Sequence, residues 1–325
     1  MAPISRRALI ASLVTGAALA ACANPTDGDT TEVRDPERSG TTEIDNSPDR
    51  KRITTPKVDA AAALVPGEIR SRGTLRIVGS ADSSAPLGFY ATDDKTRIGV
   101  EIDIAHLVAG VLGLRPEYTA VSWENIFVGL DSGKYDAGFS NITVTEERKE
   151  KYDFASYRKD DLAFEARKGS GLKVRDFRDV AGRTVAVDTG TNQEKILVEW
   201  SEQAEKAGLE PVDIKYYKAQ ADTYLALESG RIELWLGPSP TASYHVASAG
   251  RTEIVGTYSG GGATLQGLIA ATTRKDNGLV ESLHAALEEI IRNGTYAQVL
   301  KRWGLSGEAL EKSEINPPGL PKTNQ

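Results

Sequence analysis

The chain has 325 residues and a formal net charge of −7, from 39 basic and 46 acidic side chains. An acidic chain of this kind is a poor partner for nucleic acid, whose phosphates require a basic surface. The length allows about two domains, and the apolar fraction of 40% is ordinary for a folded globular protein. Beyond the N-terminus, no apolar run is long enough to span a bilayer as a helix.

The N-terminus has the pattern of an export signal that ends at a lipid-attachment cysteine. Arg6 and Arg7 precede an apolar run over residues 8–21. Leu-Ala-Ala-Cys at 19–22 resembles a bacterial lipobox, whose cysteine is diacylated and becomes the mature N-terminus. Cys22 is the only cysteine, so disulfides are excluded. We expect a signal peptide over residues 1–22 and a membrane anchor at Cys22, with Sec and twin-arginine export both open.

Two flanking segments are predicted to be loose. Residues 23–60 are rich in Asp, Thr, Pro, Arg and Ser and poor in large apolar side chains. Such a composition buries too little surface to offset the entropy lost on ordering, so we expect a flexible tether. Residues 312–325, with prolines at 317, 318 and 321, look like a loose C-terminal tail.

Strand and helix patterns alternate between these segments. Ile104, Leu107 and Val108 illustrate the helical spacing, in a helix closed by Gly113. The alternation predicts an α/β fold. Strands are expected at 74–79, 117–121, 135–139, 184–188, 214–217, 232–236 and 266–273, and helices at 104–112, 124–132, 192–207, 221–229, 241–249, 278–292 and 295–303.

A pattern near the middle of the chain recurs later. Residues 130–137 read LDSGKYDA and residues 227–234 read LESGRIEL. Each is a helix end, a glycine and a strand, followed by a polar loop. The recurrence favours two similar α/β lobes that present loops at strand ends, where open sheets bind ligands. Chance is the alternative, because helix–Gly–strand junctions are common.

The first polar loop, SNITVTEER at 140–148, carries a candidate site. It follows a predicted strand and precedes a helix expected to begin at Thr145. Arg148 would place a planar, charged guanidinium beside Ser140, Asn141 and Thr143, a set that suits a small carboxylate. The alternative is a capped helix with a solvated arginine.

A second candidate lies between the strand at 184–188 and the helix that follows it. Thr189, Thr191 and Asn192 surround the helix N-terminus, whose free N–H groups and positive dipole end favour an anion. Simple helix capping by Thr191 or Asn192 is the alternative.

Residues 140–148 resemble the TxTxxR segment of the family 3, polar amino-acid type, extracellular solute-binding proteins of ABC importers. The resemblance covers residues 70–305 and implies a two-lobe periplasmic-binding-protein type II fold with a ligand cleft between the lobes. Lobe I would comprise 61–160 and 268–311, and lobe II 161–267, with crossovers near 158–163 and 262–268. Further family motifs follow in order: RIVG at 76–79, GVEIDI at 99–104, LDSGKYD at 130–136, YDF at 152–154, GRTVAVDTGT at 182–191, ALESGRIE at 226–233 and NGTY at 293–296.

The resemblance implies a function and several site residues. The protein would be a lipid-anchored, monomeric binding protein that captures a small amino-acid-like solute and delivers it to an ABC permease and ATPase, without cofactor or metal. Arg148 matches the family's arginine that pairs with the ligand α-carboxylate. Thr191 and Asn192 match ligand-contacting positions. Trp123 matches a cleft-wall position, although a core role is equally open.

Two departures from the family pattern affect the ligand. Ser84 stands where the family usually places an aromatic clamp, and Phe89 is the nearest aromatic replacement. Pro238 stands where many members carry an Asp that pairs with the ligand's α-amino group. That contact would have to come from Asp188 or Asp82, or else the ligand is not an ordinary α-amino acid.

Two other functions are open on this fold. A dehydratase resembling cyclohexadienyl dehydratase would need a cleft acid, such as Glu194 or Asp188, with a raised pKa. A sensory subunit would bind the same ligand and signal to a membrane partner. The histidines at 106, 245 and 284 are scattered, without metal-ligand spacing, and are expected at the surface or at helix boundaries. We therefore favour a binding protein over an enzyme.

Overall fold

A computed structural model describes residues 44–217 and 219–322, all of which fall in one compact unit. Cys22, the predicted signal peptide and the predicted tether up to residue 43 lie outside the described residues. Within the described part, every helix is too short or too polar to cross a membrane.

Helices and strands alternate along most of the chain, as the sequence predicts. The strands are β1 (Thr74–Ser80), β2 (Phe89–Tyr90), β3 (Arg97–Ile98), β4 (Arg115–Val121), β5 (Ala137–Gly138), β6 (Tyr152–Arg167), β7 (Thr184–Ala186), β8 (Asp213–Lys215), β9 (Leu234–Pro238), β10 (Thr252–Ser259) and β11 (Gly267–Arg274). The helices are α1 (Asp59–Ala63), α2 (Gly67–Arg72), α3 (Val100–Val111), α4 (Trp123–Asp131), α5 (Phe177–Val180), α6 (Asn192–Lys206), α7 (Gln220–Ser229), α8 (Ser239–Ala249), α9 (Val280–Arg292) and α10 (Thr295–Arg302).

The fold is α/β with two lobes that share one long strand. Within the described residues the strands form a nine-stranded sheet in the order β4-β1-β5-β11-β6-β9-β7-β8, with β10 also on β6, and β2 and β3 pair separately. In lobe I, β1 runs parallel to β4 and β5. In lobe II, β7 runs parallel to β8 and β9. Lobe I holds α1–α4, α9, α10, β1–β5 and β11, and lobe II holds α5–α8 and β7–β10.

Strand β6 carries the chain from one lobe to the other. It pairs with β11 from Tyr152 to Asp160, and with β9 from Leu162 onward. The return crossing runs from β10, which ends opposite Asp161, into β11. The sequence predicts a crossover here but no strand of 16 residues. Most of β6 is buried on both faces, so it lacks the polar–apolar alternation that marks a half-exposed strand.

The recurring helix–Gly–strand pattern is present in both lobes. Helix α4 is followed by Gly133 at φ +69° and then by β5, and α7 by Gly230 at φ +77° and then by β9. Both glycines adopt the left-handed conformation that ends a helix at low steric cost. The chain leaves β5 and β9 toward the cleft, so the two lobes present corresponding loops.

Residues 44–60, predicted as part of a flexible tether, lie against lobe I. Ile53 packs on its hydrophobic core. Asp103 is fully buried and accepts hydrogen bonds from Arg50 Nη2 at 3.0 Å and Arg52 Nη1 at 2.8 Å, and Trp303 Nε1 donates to it at 2.9 Å. The tether prediction is therefore wrong for this stretch. The segment is polar, but two of its arginines neutralise a buried carboxylate. Burying that carboxylate without a partner would be costly.

The C-terminal segment is also ordered as far as residue 322. Leu320 is buried in the lobe II core, and its backbone pairs with residues 144–146 of lobe I. Gly319 N–H donates to Glu146 at 2.9 Å. The prediction of a loose tail fails here because the prolines sit in an extended strap held by backbone hydrogen bonds and one apolar anchor.

Candidate functional site

A cavity of about 570 Å³ lies between the two lobes. The loops that follow β1, β5, β7 and β9 line it, together with the start of α4. These loops leave the carboxyl ends of strands, the usual ligand edge of an open α/β sheet. The cavity brings together nine of the residues predicted from the sequence, namely Asp82, Ser84, Trp123, Ser140, Asn141, Asp188, Thr189, Thr191 and Asn192.

The cavity is acidic. Asp82, Glu124 and Asp188 line it, and none of the described residues that line it is a lysine or an arginine. The surrounding protein raises the pKa of the Asp188 carboxyl to about 6 by reducing its hydration, although the side chain still opens onto the cavity, and the negative charge of Asp82 adds to the effect. Reduced hydration, followed by the charge of Glu124, raises the pKa of Asp82 as well.

Several lining residues escape the sequence-based prediction. Glu124 follows Trp123 in the first turn of α4 and could have been found from that position alone. Gln193, Tyr216, Tyr217 and Gln220 also line the cavity. Gln193 lies in the first turn of α6, the two tyrosines follow β8, and Gln220 begins α7. No motif marks them.

Contacts between the lobes close one side of the cavity. The carbonyl oxygen of Gly190 in lobe II accepts from Trp123 Nε1 at 3.1 Å and from Arg148 Nη2 at 3.3 Å, both in lobe I. Lys195 Nζ lies 3.2 Å from the Glu147 carboxylate across the same boundary. The structure is therefore a closed arrangement, in which Trp123 forms part of the cavity wall and a lobe–lobe contact.

Arg148 lies behind this wall. Its Nη1 donates to the carbonyl of Thr143 at 2.9 Å, and its guanidinium lies over the rings of Trp123 and Phe127, about 5 Å from each centroid. Burial lowers the pKa of Arg148 to about 10, so it stays charged at neutral pH. It lines a neighbouring cavity of about 810 Å³ rather than the acidic one.

The helix predicted to start at Thr145 is one turn of 3-10 helix, Arg148–Glu150. Thr145 Oγ1 accepts from the Arg148 N–H at 3.0 Å, as an N-cap residue would. The chain then enters β6 at Tyr152, which leaves no length for an α-helix.

A buried carboxylate, Asp160, joins the two lobes beneath the cavity. Its Oδ2 accepts from Thr143 Oγ1 of lobe I at 2.7 Å and from Asn192 Nδ2 of lobe II at 3.1 Å. Asp160 is 1% exposed, and burial raises its pKa to about 6. Gly260 makes this possible, because a Cβ there would lie 1.8 Å from the carboxylate oxygen. Thr143 and Asn192, both predicted to contact the ligand, thus contact Asp160.

The N-terminus of α6 is capped by the chain itself. Thr191 Oγ1 accepts from the Glu194 N–H at 3.2 Å, and Glu194 Oε2 accepts from the Gly190 N–H at 2.5 Å. This pattern resembles a capping box, except that Glu194 reaches back to the residue before the N-cap. The predicted anion site at this helix end therefore already holds a carboxylate of the chain.

Ser140 and Asn141 are held rigidly at the cavity edge. Ser140 is buried and its Oγ accepts from the Ser80 N–H at 2.7 Å. Asn141 has a left-handed backbone, with φ of +51°, and its side-chain oxygen accepts from Arg158 Nη2. In both residues, therefore, the side-chain oxygen already accepts a hydrogen bond from another part of lobe I.

Phe89, the predicted aromatic replacement, lies elsewhere. Its ring packs edge-on against Trp303 at 5.8 Å and belongs to the lobe I core. It does not line the cavity, because β2 pairs with β3 and directs the ring toward α10. Ser84 does line the cavity, and Trp123, Tyr216 and Tyr217 supply its aromatic surface.

The described histidines form no metal site, and no group of three or more His, Cys, Asp or Glu among the described residues is arranged to hold a metal ion. His245 differs from the expectation of a surface residue. Its Nδ1 lies 2.5 Å from the buried Glu165, and its ring stacks on Tyr224.

Comparison with known proteins finds a matching family and several similar proteins. The profile of the bacterial extracellular solute-binding proteins, family 3, matches residues 77–306. The arginine-binding protein ArgT of Corynebacterium glutamicum is 28% identical over 86% of this chain and 90% of its own length. The L-cystine-binding protein TcyJ of Escherichia coli is 27% identical over 73% and 84%. An ancestral arginine-binding protein bound to arginine superposes with a TM-score of 0.63 at 29% identity, covering 71% of this chain and 98% of that one.

Replacing Asp188 by Asn should stabilise the solute-free protein at neutral pH. The folded-state pKa of about 6 exceeds the ordinary value of 3.8, so the folded state binds more protons between these values. Stability contributed by this group is therefore lost as pH rises through the window from about 4 to about 6. Urea unfolding at about pH 7.5 should show Asp188→Asn more stable than the wild type, with the difference shrinking toward about pH 4.

The matched control is Asp49→Asn, an exposed acid outside the cleft, which should leave this pH dependence unchanged. An Asp188→Asn protein no more stable than the wild type at the higher pH would contradict the raised pKa.

Proposed function

The chain belongs to the bacterial extracellular solute-binding proteins of family 3, and from this premise we propose that it captures a small, cationic, amino-acid-like solute between its lobes. The solute is then delivered to the permease and ATPase of an ABC importer by a monomeric binding protein. The observation that carries the proposal is the cavity between the lobes, lined by Asp82, Glu124 and Asp188 without a described basic side chain.

The charge of the cavity selects a cation. Carboxylates that share a cavity repel one another, and closing the lobes removes water that would screen them. Reduced hydration, with the neighbouring acids as the second cause, raises the pKa values of Asp82 and Asp188, so keeping both ionised costs free energy. A bound ammonium or guanidinium would offset the repulsion and form charge-assisted hydrogen bonds. An anionic solute would increase the repulsion.

Lobe closure supplies the rest of the mechanism. Hydrogen bonds from Trp123 and Arg148 to the Gly190 carbonyl hold the closed arrangement. The crossings at Asp160 and near Gly260 connect the lobes through two antiparallel strands, which suits a hinge motion. A transporter that recognises the closed shape would then receive only loaded protein.

The relatives support an amino-acid-like solute. Arginine is the named ligand of one relative and of one solved structure, and cystine is that of another relative. These names differ, so the solute of this chain is inferred from its own cavity. Pro238 lines that cavity in place of the expected Asp, and Asp188 and Asp82 are the available acids for an amino group.

Catalysis is the weaker alternative. Asp188, with its pKa of about 6, is a cavity group suited to act as an acid, while Glu194 is engaged in capping α6. The relatives that share most of the chain are named as binding proteins. A solute that is recovered unchanged after long incubation with the protein supports binding alone.

We also propose lipid anchoring at Cys22, on the sequence of the lipobox alone. Expression in a bacterial host with a labelled fatty acid tests it: the wild type should carry the label and sediment with membranes. A Cys22→Ser chain that keeps both properties would contradict the anchor.

Removing one cavity carboxylate should weaken cation binding. Hydrogen bonds to charged groups contribute about 1.5–3 kcal/mol, so Asp188→Asn and Asp82→Asn should each raise Kd at least about tenfold. Isothermal titration calorimetry with L-arginine, L-lysine, agmatine and putrescine as cations, and L-glutamate as the anion, gives the comparison. Asp49→Asn is the control and should bind as the wild type does. Binding of L-glutamate but of no cation would refute the proposal.

A further inference from the structure

We propose that Leu320 is a positioning residue that latches the two lobes in the closed arrangement and so slows the release of the solute. The part about solute release rests on the proposed function, whereas the part about lobe closure does not. Leu320 lies in the C-terminal strap, residues 313–322, which follows the last residue matched by the family profile. The inference therefore comes from this chain's own contacts.

The backbone of the strap is bonded to lobe I. The Asn316 N–H donates to the Phe154 carbonyl at 2.9 Å, and the Ser156 N–H donates to the Glu314 carbonyl at 3.0 Å. The side chain of Asn316 adds a third bond, because its Oδ1 accepts from the Phe154 N–H at 2.9 Å. Phe154 and Ser156 lie on the part of β6 that pairs with β11. The strap is therefore an added layer of lobe I.

Both backbone groups of Leu320 are also bonded to lobe I. Its N–H donates to the Val144 carbonyl at 3.0 Å, and its carbonyl accepts from the Glu146 N–H at 2.9 Å. The preceding residue, Gly319, approaches this segment so closely that a Cβ there would lie 2.5 Å from the Val144 carbonyl oxygen. The backbone of Leu320 must therefore move with lobe I.

The side chain of Leu320 belongs to the other lobe. It is 4% exposed and packs in the apolar cluster that includes Leu162, Phe164 and Leu236. These three residues lie on β9 and on the part of β6 that pairs with it, so they move with lobe II. The Cδ1 of Leu320 also lies 3.4 Å from the place that a Cβ of Gly262 would take, beside the return crossing. Leu320 thus links the lobes without a covalent bond.

Opening of the lobes would weaken this link. A hinge motion moves lobe II relative to lobe I, while the backbone of Leu320 stays with lobe I. The side chain then loses part of its packing against lobe II, and lost apolar packing costs free energy. The contacts of Leu320 are therefore stronger in the closed arrangement than in an open one. An interaction of this kind shifts the equilibrium toward the closed state.

The same hydrogen bonds connect the strap to a direct contact between the lobes. Val144 and Glu146, which pair with Leu320, flank Thr145, whose Oγ1 accepts from the Arg148 N–H at 3.0 Å. Arg148 in turn donates to the Gly190 carbonyl of lobe II at 3.3 Å. The strap therefore holds the backbone of a segment that takes part in closure.

The rate of solute release tests the latch. Stopped-flow fluorescence, to which the cavity-wall residue Trp123 contributes, gives kon and koff for L-arginine, L-lysine, agmatine and putrescine. For each cation that binds the wild type, Leu320→Ala should raise koff at least about tenfold and leave kon nearly unchanged. Leu320→Met keeps the apolar volume and should restore a koff close to that of the wild type.

The matched control for these kinetics is Ile315→Ala. Ile315 lies on the same strap, but its side chain is 39% exposed, so its loss should leave koff unchanged. A folded Leu320→Ala protein with the koff of the wild type would overturn the latch. If none of the four cations binds the wild type, the proposed function fails, and the latch is then decided by the distance between the lobes.

That distance is measured without solute. Val128→Cys on α4 and Leu225→Cys on α7 place one exposed cysteine on each lobe. A Cys22→Ser background removes the only native cysteine, so spin labels report the distance between the lobes alone. The closed-to-open ratio should fall at least about tenfold in Leu320→Ala and stay unchanged in Ile315→Ala. An unchanged ratio in Leu320→Ala, or a wild type with no closed component, would contradict the latch.

Gly319→Ala tests the link from the side of lobe I. Its Cβ would collide with the Val144 carbonyl and displace the strap, while the leucine side chain stays intact. The closed-to-open ratio should fall, as it does in Leu320→Ala. A folded Gly319→Ala protein with the ratio of the wild type would contradict the anchoring of the latch on lobe I. This variant also keeps the proposal falsifiable if Leu320→Ala does not fold.

Discussion

Three carboxylates face one cavity between two lobes, and among the described residues no basic side chain lines that cavity to neutralise them. Reduced hydration in the cleft, and to a smaller extent the neighbouring negative charge, raises the pKa of Asp188 and Asp82. Keeping these acids ionised costs stability, and a cation is therefore the natural occupant of the cavity. The binding site thus lowers the stability of the folded protein, a common trade-off between function and stability.

The acids of the cleft have two roles. Asp160 and Glu194 stabilise the structure, whereas the acids that line the cavity are available to a solute. Asp160 ties Thr143 of lobe I to Asn192 of lobe II, and Glu194 caps the helix that faces the cavity. Asp160 satisfies two buried donors, and Glu194 satisfies a backbone N–H at the start of α6. Asp82, Glu124 and Asp188 line the cavity instead.

The sequence predicts most helices and strands because their apolar periodicity is local, and it locates the cleft because ligand loops follow strand ends. It misses β6, whose two buried faces carry no alternation, and it misjudges residues 44–60, where Arg50 and Arg52 pair with Asp103. Asp160 is missed for the same physical reason: its partners lie 17 and 32 residues away in the chain. The guanidinium of Arg148 lies over the Trp123 ring and donates to Gly190 of the other lobe. This position depends on lobe closure, and no local sequence pattern specifies it.

Proton release on binding is the most direct measure of a cation held by ionised cavity acids. Titration of agmatine at about pH 6, in two buffers of different ionisation enthalpy, gives the number of protons exchanged. Because Asp188 is about half protonated there, a cation should expel up to about half a proton from it, and the release should vanish near pH 8. Binding without proton exchange at about pH 6, or with proton uptake, would show that the cavity acids do not hold the solute.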